Sequence, residues 1–170
     1  MQEQLDVLLN QYERGVLSRR EVLFGLTALA AASSATAAQA PIGTVKQLNH
    51  ITAFVPDVQK SAAFYQELLG MPILTKQNAG INLSAGTGFF GIYPARNGGA
   101  ASYNHVCFGM ENFNADTVLK QLKDRGLQAY IRMRDDTQEL YFTDPDGLSV
   151  QLQDVKYKGG TGVLGDKDPK

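Results

Sequence analysis

Apolar and polar residues follow the same order in two separate parts of the chain. Each part begins with a strand-like run after an Asn-His pair, LNHITAFV around His50 and YNHVCFGM around His105. Each run leads into a stretch whose apolar residues return every three or four positions, as on one face of a helix. The two stretches start at suitable helix caps, Asp57 and Asn114, and each ends at a glycine. The pattern predicts a strand and a helix, twice, with the histidines in equivalent places.

Three further strand-like segments follow each predicted helix. Turn-forming Gly, Asn and Asp residues separate them, and the sequence DPDG at 144–147 predicts a turn before the last segment. Each half is therefore a βαβββ unit, with module one at 44–97 and module two at 101–155. A unit of this size does not easily bury its own core, so the two modules are expected to pack together as one α+β domain.

Strand geometry places both histidines on the polar faces of their strands. Side chains alternate between the two faces, so His50 and Thr52 lie opposite Ile51, while His105 shares a face with Cys107. The apolar faces should lie under the helices, and the polar faces should line the concave side of the sheet. Pseudo-symmetry would then bring the two histidines together, which indicates a shared site. The alternative is that each histidine is a polar residue bonded to its neighbours in a cleft.

Residues 1–40 differ from the rest of the chain and predict an export signal. The pair Arg19–Arg20 precedes a short apolar run, Val22–Ala32, and then a stretch of small residues. A membrane-spanning helix needs about 20 apolar residues, so this run is too short to span. The sequence SRREVLFG resembles the twin-arginine export signal, and we expect a periplasmic or otherwise extracytoplasmic protein cut after Ala37 or Ala38. The alternative is a cytoplasmic protein with an amphipathic first helix and an alanine-rich linker.

Composition limits the function classes that fit. Residues 1–40 hold three Arg and four acidic residues, which leaves 13 basic and 13 acidic residues in 41–170. A neutral domain with no basic run lacks the positive surface that nucleic acid requires, so we expect a small-molecule partner and no nucleic acid. The single cysteine, Cys107, excludes an internal disulfide.

Residues 44–155 resemble the vicinal oxygen chelate superfamily, which includes glyoxalase I, extradiol dioxygenases and the fosfomycin- and bleomycin-resistance proteins. The resemblance rests on NHITAFVPDVQKSAAFYQELLGM, YNHVCFG and YFTDPDGLSVQLQD, which are specific for the fold and much less so for the reaction. It implies two paired βαβββ modules that form a cup-shaped mixed sheet, with helices on the outer face and a divalent metal ion in the cup. Cups in this superfamily are often completed between chains, so a homodimer is also expected.

The resemblance implies a particular set of metal ligands. The histidine ligands of the superfamily correspond to His50 and His105, and its last-strand carboxylate falls on Gln151. An amide oxygen is neutral, so metal affinity should fall and an oxidisable iron would be less well supported; Fe, Mn, Zn, Co and Ni all remain open. Glyoxalase I uses a fourth ligand at a position nearest Gly91 here, so standard glyoxalase I activity is not expected.

Other polar side chains should face the cup by strand alternation. Arg134 could hold an anionic substrate group by a bidentate contact, and we place Arg132 and Tyr93 with it as substrate-binding candidates. Tyr141 could donate a hydrogen bond or a proton, and Glu139 could serve as a general base. The alternative for each of them is a solvated strand residue.

Two hypotheses for function follow. The first is a metal-dependent enzyme, dioxygenase-like or lyase/isomerase-like, that chelates two adjacent oxygens of a small oxygen-rich substrate. The second is a metal-free protein that binds or sequesters a small molecule, as the bleomycin-binding relatives do. Gln151 favours the second hypothesis, and the histidine pair opposes it. Residues 156–170, rich in Gly and charge, are expected to form a flexible tail that is either disordered or folded over the cup.

Replacing the arginine pair tests the export hypothesis. Arg19→Lys combined with Arg20→Lys keeps the charge but removes both guanidinium groups, so we expect most of the protein to stay in the cytoplasm. Cell fractionation and immunoblotting measure this distribution, with Arg14→Lys as the matched control that should not change it. Unchanged export of the double variant would contradict the hypothesis.

Overall fold

The computed structural model describes residues 2–34 and 40–169, which form two compact units that divide between Pro41 and Ile42. The described part of the first unit contains the helices α1 (Gln2–Glu13) and α2 (Arg19–Ser34). Among the described residues, no helix combines the length and hydrophobicity needed to cross a membrane. The expected cleavage positions after Ala37 and Ala38 lie outside the described residues.

A reciprocal cap between Ser18 and Glu21 starts α2. The Ser18 amide and hydroxyl donate to the Glu21 carboxylate at 2.7 and 2.6 Å, and the Glu21 amide donates to the Ser18 hydroxyl at 3.3 Å. This exchange satisfies backbone groups that the first helical turn otherwise leaves unpaired. Arg19 and Arg20 consequently occupy the first turn of a capped helix.

The second unit consists of two copies of the predicted βαβββ module. The first copy contains β1 (Val45–Val55), α3 (Val58–Leu69), β2 (Ile73–Gln77), β3 (Gly80–Ala85) and β4 (Gly88–Pro94). The second contains β5 (Ser102–Met110), α4 (Ala115–Asp124), β6 (Ala129–Arg134), β7 (Thr137–Thr143) and β8 (Ser149–Asp154). A short 3₁₀ turn at Arg96–Gly98 lies between the modules.

In the described part of the chain, eight strands form one curled mixed sheet in the order β2-β3-β4-β1-β5-β8-β7-β6. In each module the first strand pairs in parallel with the last, and the other pairs are antiparallel. The modules join where β1 and β5 pair antiparallel. One chain therefore supplies both halves of the sheet, and the predicted fold class is confirmed. The homodimer stays a prediction.

Both module helices begin where the sequence predicts. The side chain of Asp57 accepts a hydrogen bond from the Lys60 amide at 2.9 Å, and that of Asn114 accepts from the Thr117 amide at 2.9 Å. Helix α3 ends at Gly70, whose φ of 65° is the left-handed conformation that glycine adopts without a steric penalty.

Each helix packs on the outer face of its own half of the sheet and closes a separate apolar cluster. In module one the buried members are Val58, Ala62, Ile81, Leu83 and Ile92. In module two they are Met110, Val118, Leu122, Leu140 and Leu152. Leu69, which helical periodicity places on the apolar face of α3, is instead 63% exposed, because the helix ends at this residue.

Residues 157–168, here called the cross-cup segment, are hydrogen-bonded to both modules. On module one the Thr75 hydroxyl donates to the Lys158 carbonyl at 2.8 Å, and the side chains of Gln77 and Asn82 donate to the Gly159 carbonyl. The segment reaches module two through Gly162, whose carbonyl accepts from the Thr137 hydroxyl at 2.5 Å and whose amide donates to Asp136 at 2.8 Å. It also lines the cavity between the modules.

Truncating one core residue should measure how much the module-one cluster stabilises the domain. Leu83 is 0% exposed, and Leu83→Ala removes apolar contacts and leaves a cavity, so we expect the free energy of unfolding to fall by about 2–5 kcal/mol. Urea titration followed by circular dichroism measures this change. Leu148→Ala, at a largely exposed leucine, is the control and should change the value by less than about 0.5 kcal/mol. Equal losses for both variants would contradict the assignment of the core.

Candidate metal centre

The pairing of β1 with β5 places the two histidines face to face. Thr52 lies opposite His105 in the register, and His50 lies opposite Cys107. The two imidazole Nε2 atoms are 3.1 Å apart, and both side chains are buried, with 4% and 9% of their surface exposed. His50 also stacks on the Phe89 ring, with the ring centroids 4.2 Å apart. The sheet thus fixes both rings in the floor of the cup.

An asparagine orients each imidazole ring from the side away from the pair. The Nδ1 atom of His50 lies 2.9 Å from Oδ1 of Asn49, and Nδ1 of His105 lies 2.7 Å from Oδ1 of Asn104. In the orientations shown, each asparagine presents its amide oxygen, which can only accept, so each Nδ1 carries the proton and donates it. Each Nε2 is then an unprotonated lone pair, and two such lone pairs face one another. This is the arrangement that a positive ion between them would satisfy.

Gln151 completes a possible ligand set of three neutral donors. It lies on β8 beside Cys107 of β5 and Tyr141 of β7, on the face that the histidines share. Among the described residues, its Nε2 is one of two buried side-chain nitrogen or oxygen atoms with no hydrogen-bond partner. No cluster of three His, Cys, Asp or Glu side chains suited to a metal occurs in the described chain.

The geometry of the histidine pair fits a divalent ion. Imidazole nitrogens bind such ions at about 2.0–2.1 Å, and the two Nε2 atoms, 3.1 Å apart, are close enough for one ion to bind both. Imidazole and amide ligands suit several first-row metals and do not select one. The residues present therefore fit a metal ion held by His50, His105 and Gln151.

The candidate centre lies in a cavity of about 70 Å³ between the two modules. The cavity is lined by all eight of the side chains that the sequence predicts for the site. They are the three candidate ligands together with Tyr93, Arg132, Arg134, Glu139 and Tyr141. Sequence reasoning missed other members of the wall. They are Phe54, Phe89, Asn104, Tyr157 and Gly159, and Thr52 was identified only as sharing the face of His50.

Glu139 is a buried carboxylate that four side chains contact. Arg132 donates to it from Nε at 2.7 Å and from Nη2 at 2.5 Å, and Arg134 donates from Nε at 2.9 Å. The hydroxyls of Tyr157 and Tyr141 donate at 2.9 and 3.3 Å. Burial alone would raise the pKa of Glu139, but the two arginines outweigh it and hold the pKa below its ordinary value. A carboxylate that accepts this many hydrogen bonds is a weak base. The geometry therefore favours a role for Glu139 in holding the two arginines over the general-base role suggested by the sequence.

Tyr141 is positioned between the arginines and the histidines. Its hydroxyl accepts a hydrogen bond from Nη2 of Arg132 at 2.8 Å, and its ring meets the His105 ring edge-on with the centroids 5.3 Å apart. Burial and the nearby Glu139 charge raise the pKa of Tyr141, so the phenol keeps its proton. It is therefore better suited to donate a hydrogen bond than to transfer a proton.

Gly91 and Tyr93 show why a fourth ligand is absent from the fourth strand. A Cβ atom at Gly91 would lie 3.0–3.1 Å from Asn82 Oδ1, Tyr93 Cε2 and Thr52 Oγ1. The single proton of the Tyr93 hydroxyl is shared between the amide oxygens of Gln77 and Asn82, which lie 3.0 and 3.1 Å from the hydroxyl oxygen. A carboxylate side chain at residue 91 would therefore crowd these three neighbours.

Burial lowers the pKa of both histidines. The pKa of His105 falls to about 4 because burial outweighs the opposing effect of Gln151. The pKa of His50 lies well below its ordinary value because burial and repulsion from His105 both act in that direction. Both rings are therefore neutral near pH 7, which is the form that binds metal ions.

These shifts predict that the metal-free protein loses stability in mild acid. Between pH about 4 and 6.5 the unfolded histidines bind more protons than the folded ones, so the free energy of unfolding rises with pH and levels off above 6.5. From pH 7.5 to pH 5 we expect a loss on the order of 2 kcal/mol from His105 alone. Urea titrations of chelator-treated protein measure it. His105→Gln should show a shallower dependence, and an equally steep one would contradict the assignment.

Comparison with known proteins agrees with this architecture. Residues 47–152 match the sequence profile of the Glyoxalase/Bleomycin resistance protein/Dioxygenase superfamily. The metallothiol transferase FosB of Lysinibacillus sphaericus is 33% identical over 138 residues, which cover 73% of this chain and 88% of that protein. The glutathione transferase FosA of Serratia marcescens is 28% identical over 116 residues, covering 64% of this chain and 80% of that protein.

Solved structures share the fold at lower sequence identity. Methylmalonyl-CoA epimerase from Mycobacterium tuberculosis superposes with a TM-score of 0.54 at 13% identity, covering 68% of this chain and 91% of that one. The 2,3-dioxygenase LapB from Pseudomonas sp. KL28 superposes with a TM-score of 0.56 at 15% identity. The aligned part covers 67% of this chain and 42% of the dioxygenase. The sequence match and the shared fold together show that the chain belongs to the Glyoxalase/Bleomycin resistance protein/Dioxygenase superfamily.

Proposed function

We propose that this protein is a metal-dependent enzyme that binds a divalent ion through His50, His105 and Gln151 and acts on a small, anionic, oxygen-rich substrate. The observation that carries the proposal is the buried histidine pair, whose Nε2 atoms lie 3.1 Å apart while both Nδ1 atoms face asparagine oxygens. With the Asn104 amide in the orientation shown, no proton lies between the two Nε2 atoms, and two buried acceptors facing each other are unfavourable without a cation.

The charges in the cavity wall favour an anionic substrate. Of the described residues that line it, Arg132 and Arg134 are positive and Glu139 is negative, which leaves one net positive charge. All three candidate ligands are neutral, so they do not offset the charge of an ion. The cup therefore presents positive potential to whatever enters, and a substrate with adjacent anionic oxygens matches it.

The side chains around the substrate have separate roles in this proposal. A bound divalent ion would act as a Lewis acid toward the substrate oxygens. Arg132, whose side chain is 50% exposed and faces the cavity, would pair with negative charge that develops on the substrate. Tyr141 would donate a hydrogen bond, and Glu139 would hold both arginines in place.

Thiol transfer is the reaction that we propose to test first. The two curated relatives compared above are a metallothiol transferase and a glutathione transferase. A second depression of about 450 Å³ adjoins the cavity and shares Phe54, Asn104, Arg132 and Tyr141 with it, which provides space for a second substrate. A dioxygenase-like reaction is the rival, and the neutral Gln151 supports an oxidisable iron less well than a carboxylate would. Two assays separate the reactions. Thiol transfer consumes glutathione or cysteine in the presence of a small anionic electrophile, whereas a dioxygenase takes up oxygen in the presence of a catechol.

Metal analysis tests the proposed centre directly. Mass spectrometry of the purified full chain should find close to one divalent ion per chain, and His50→Ala and His105→Ala should each lose it. Asn97→Ala, in the turn between the modules, is the control and should retain the metal. A parent that holds no metal and takes up none on dialysis against divalent ions would contradict the metalloenzyme proposal and favour the metal-free binding protein.

Changing the neutral ligand should alter affinity in a defined direction. Gln151→Glu has nearly the same shape and replaces the unpartnered Nε2 with a charged oxygen, so we expect divalent ions to bind at least about tenfold more tightly. Gln151→Leu should weaken binding to a similar degree. Competition with a chelating dye at pH 7.5 measures both. Identical affinities in all three proteins would show that residue 151 is not a ligand.

A further inference from the structure

We propose that the cross-cup segment is a functional part of the metal centre, because it fixes the tautomer of His50 through the side chain of Asn49. The segment thereby keeps the Nε2 lone pair of His50 directed at the ion. The role in metal binding rests on the function proposed above, whereas the effect on the tautomer exists in the metal-free protein as well. Asn49 and the segment are positioning elements, and neither supplies one of the three candidate metal ligands.

The argument starts from the backbone carbonyl of Tyr157. This oxygen can only accept, and it lies 3.1 Å from Nδ2 of Asn49, so Nδ2 must donate to it. The orientation of the amide then follows, and Oδ1 of Asn49 is the atom that faces Nδ1 of His50 at 2.9 Å. Nδ1 must therefore carry the proton, and Nε2 is left as the lone pair.

The equivalent asparagine in the second module lacks this constraint. Asn104 faces Nδ1 of His105 at 2.7 Å, but among the described residues its Nδ2 makes no hydrogen bond, and the side chain is exposed. Asn49, in contrast, is completely buried. If the Asn104 amide turns over, His105 can carry its proton on either nitrogen. The pseudo-symmetric site thus has one ligand whose tautomer is fixed and one whose tautomer can change.

The Tyr157 carbonyl is itself held firmly. The Tyr157 ring is buried next to His50 and Phe89, with ring centroids 5.8 and 6.1 Å away, and its hydroxyl donates to Glu139. Two residues later the segment passes Phe89 so closely that a Cβ on Gly159 would lie 2.5 Å from Phe89 Cζ and 2.7 Å from Asn82 Nδ2. These contacts together set the position of the Tyr157 carbonyl.

Displacing the segment tests the proposal. Gly159→Ala introduces the clash just described, and Gly147→Ala is its matched control, since both glycines have φ near +80° but Gly147 has no atom within 4 Å of an added Cβ. Thr75→Val is a second variant, which removes the hydroxyl that donates to the Lys158 carbonyl and accepts from Asn82 Nδ2. It keeps the test valid if Gly159→Ala does not fold.

Two measurements are made on each full-length protein. Nitrogen-15 NMR of metal-free protein at pH 8 reports which imidazole nitrogen of His50 carries the proton. Chelator competition with Zn²⁺ gives the dissociation constant. We expect Nδ1–H in the parent and in Gly147→Ala, a mixture of tautomers in Gly159→Ala and Thr75→Val, and roughly tenfold weaker Zn²⁺ binding in Gly159→Ala.

Double variants separate this mechanism from a general loss of structure. If the segment acts through Asn49, adding Gly159→Ala to Asn49→Ala should weaken Zn²⁺ binding no further, whereas its effect should multiply with that of Asn104→Ala. An unchanged His50 tautomer in both segment variants would overturn the inference, as would a full extra loss on top of Asn49→Ala. A parent that binds no Zn²⁺ but keeps His50 as Nδ1–H, with that preference lost in the segment variants, would refute the proposed function and support the inference about the tautomer.

Discussion

Antiparallel pairing of β1 with β5 is the constraint on which the rest of the molecule depends. It joins the two modules into one sheet, and its register puts His50 and His105 on the same face, with Thr52 opposite His105. A slip of one residue along either strand would turn that strand's polar side chains toward the helices. The same backbone hydrogen bonds therefore specify both the closure of the cup and the distance between the two imidazoles.

Around this frame, the second module concentrates charge and the first module supplies stacking and amide contacts. Arg132, Arg134 and Glu139 come from β6 and β7, whereas Phe89 and Asn82 come from β3 and β4. The cross-cup segment connects the two sets through Tyr157, which contacts Glu139 with its hydroxyl and Asn49 with its carbonyl. The duplicated backbone is symmetric, and the chemistry placed on it is not.

Periodicity and strand alternation predicted the two βαβββ modules and the polar faces of the strands, and the resemblance to a known superfamily supplied the cup-shaped mixed sheet. Both depend on local backbone geometry, which is why Asp57, Asn114 and Gly70 could be identified as helix ends, and why His50 and His105 could be placed together. Partnerships within the cup were not predictable in the same way. The pairing of Glu139 with two arginines depends on side-chain contacts between strands. The hydrogen bond from Asn49 to residue 157 spans 108 positions and joins a strand to a segment without any period.

The packing around Gly91 limits how this scaffold can change. A side chain there would have to displace Asn82, and Asn82 donates to the Gly159 carbonyl at 2.8 Å and so anchors the cross-cup segment. A ligand on the fourth strand would therefore disturb one of the contacts that anchor the cross-cup segment. In evolutionary terms, a descendant of this protein that gained a fourth metal ligand at residue 91 would also need compensating changes around Asn82 to keep the cross-cup segment in place.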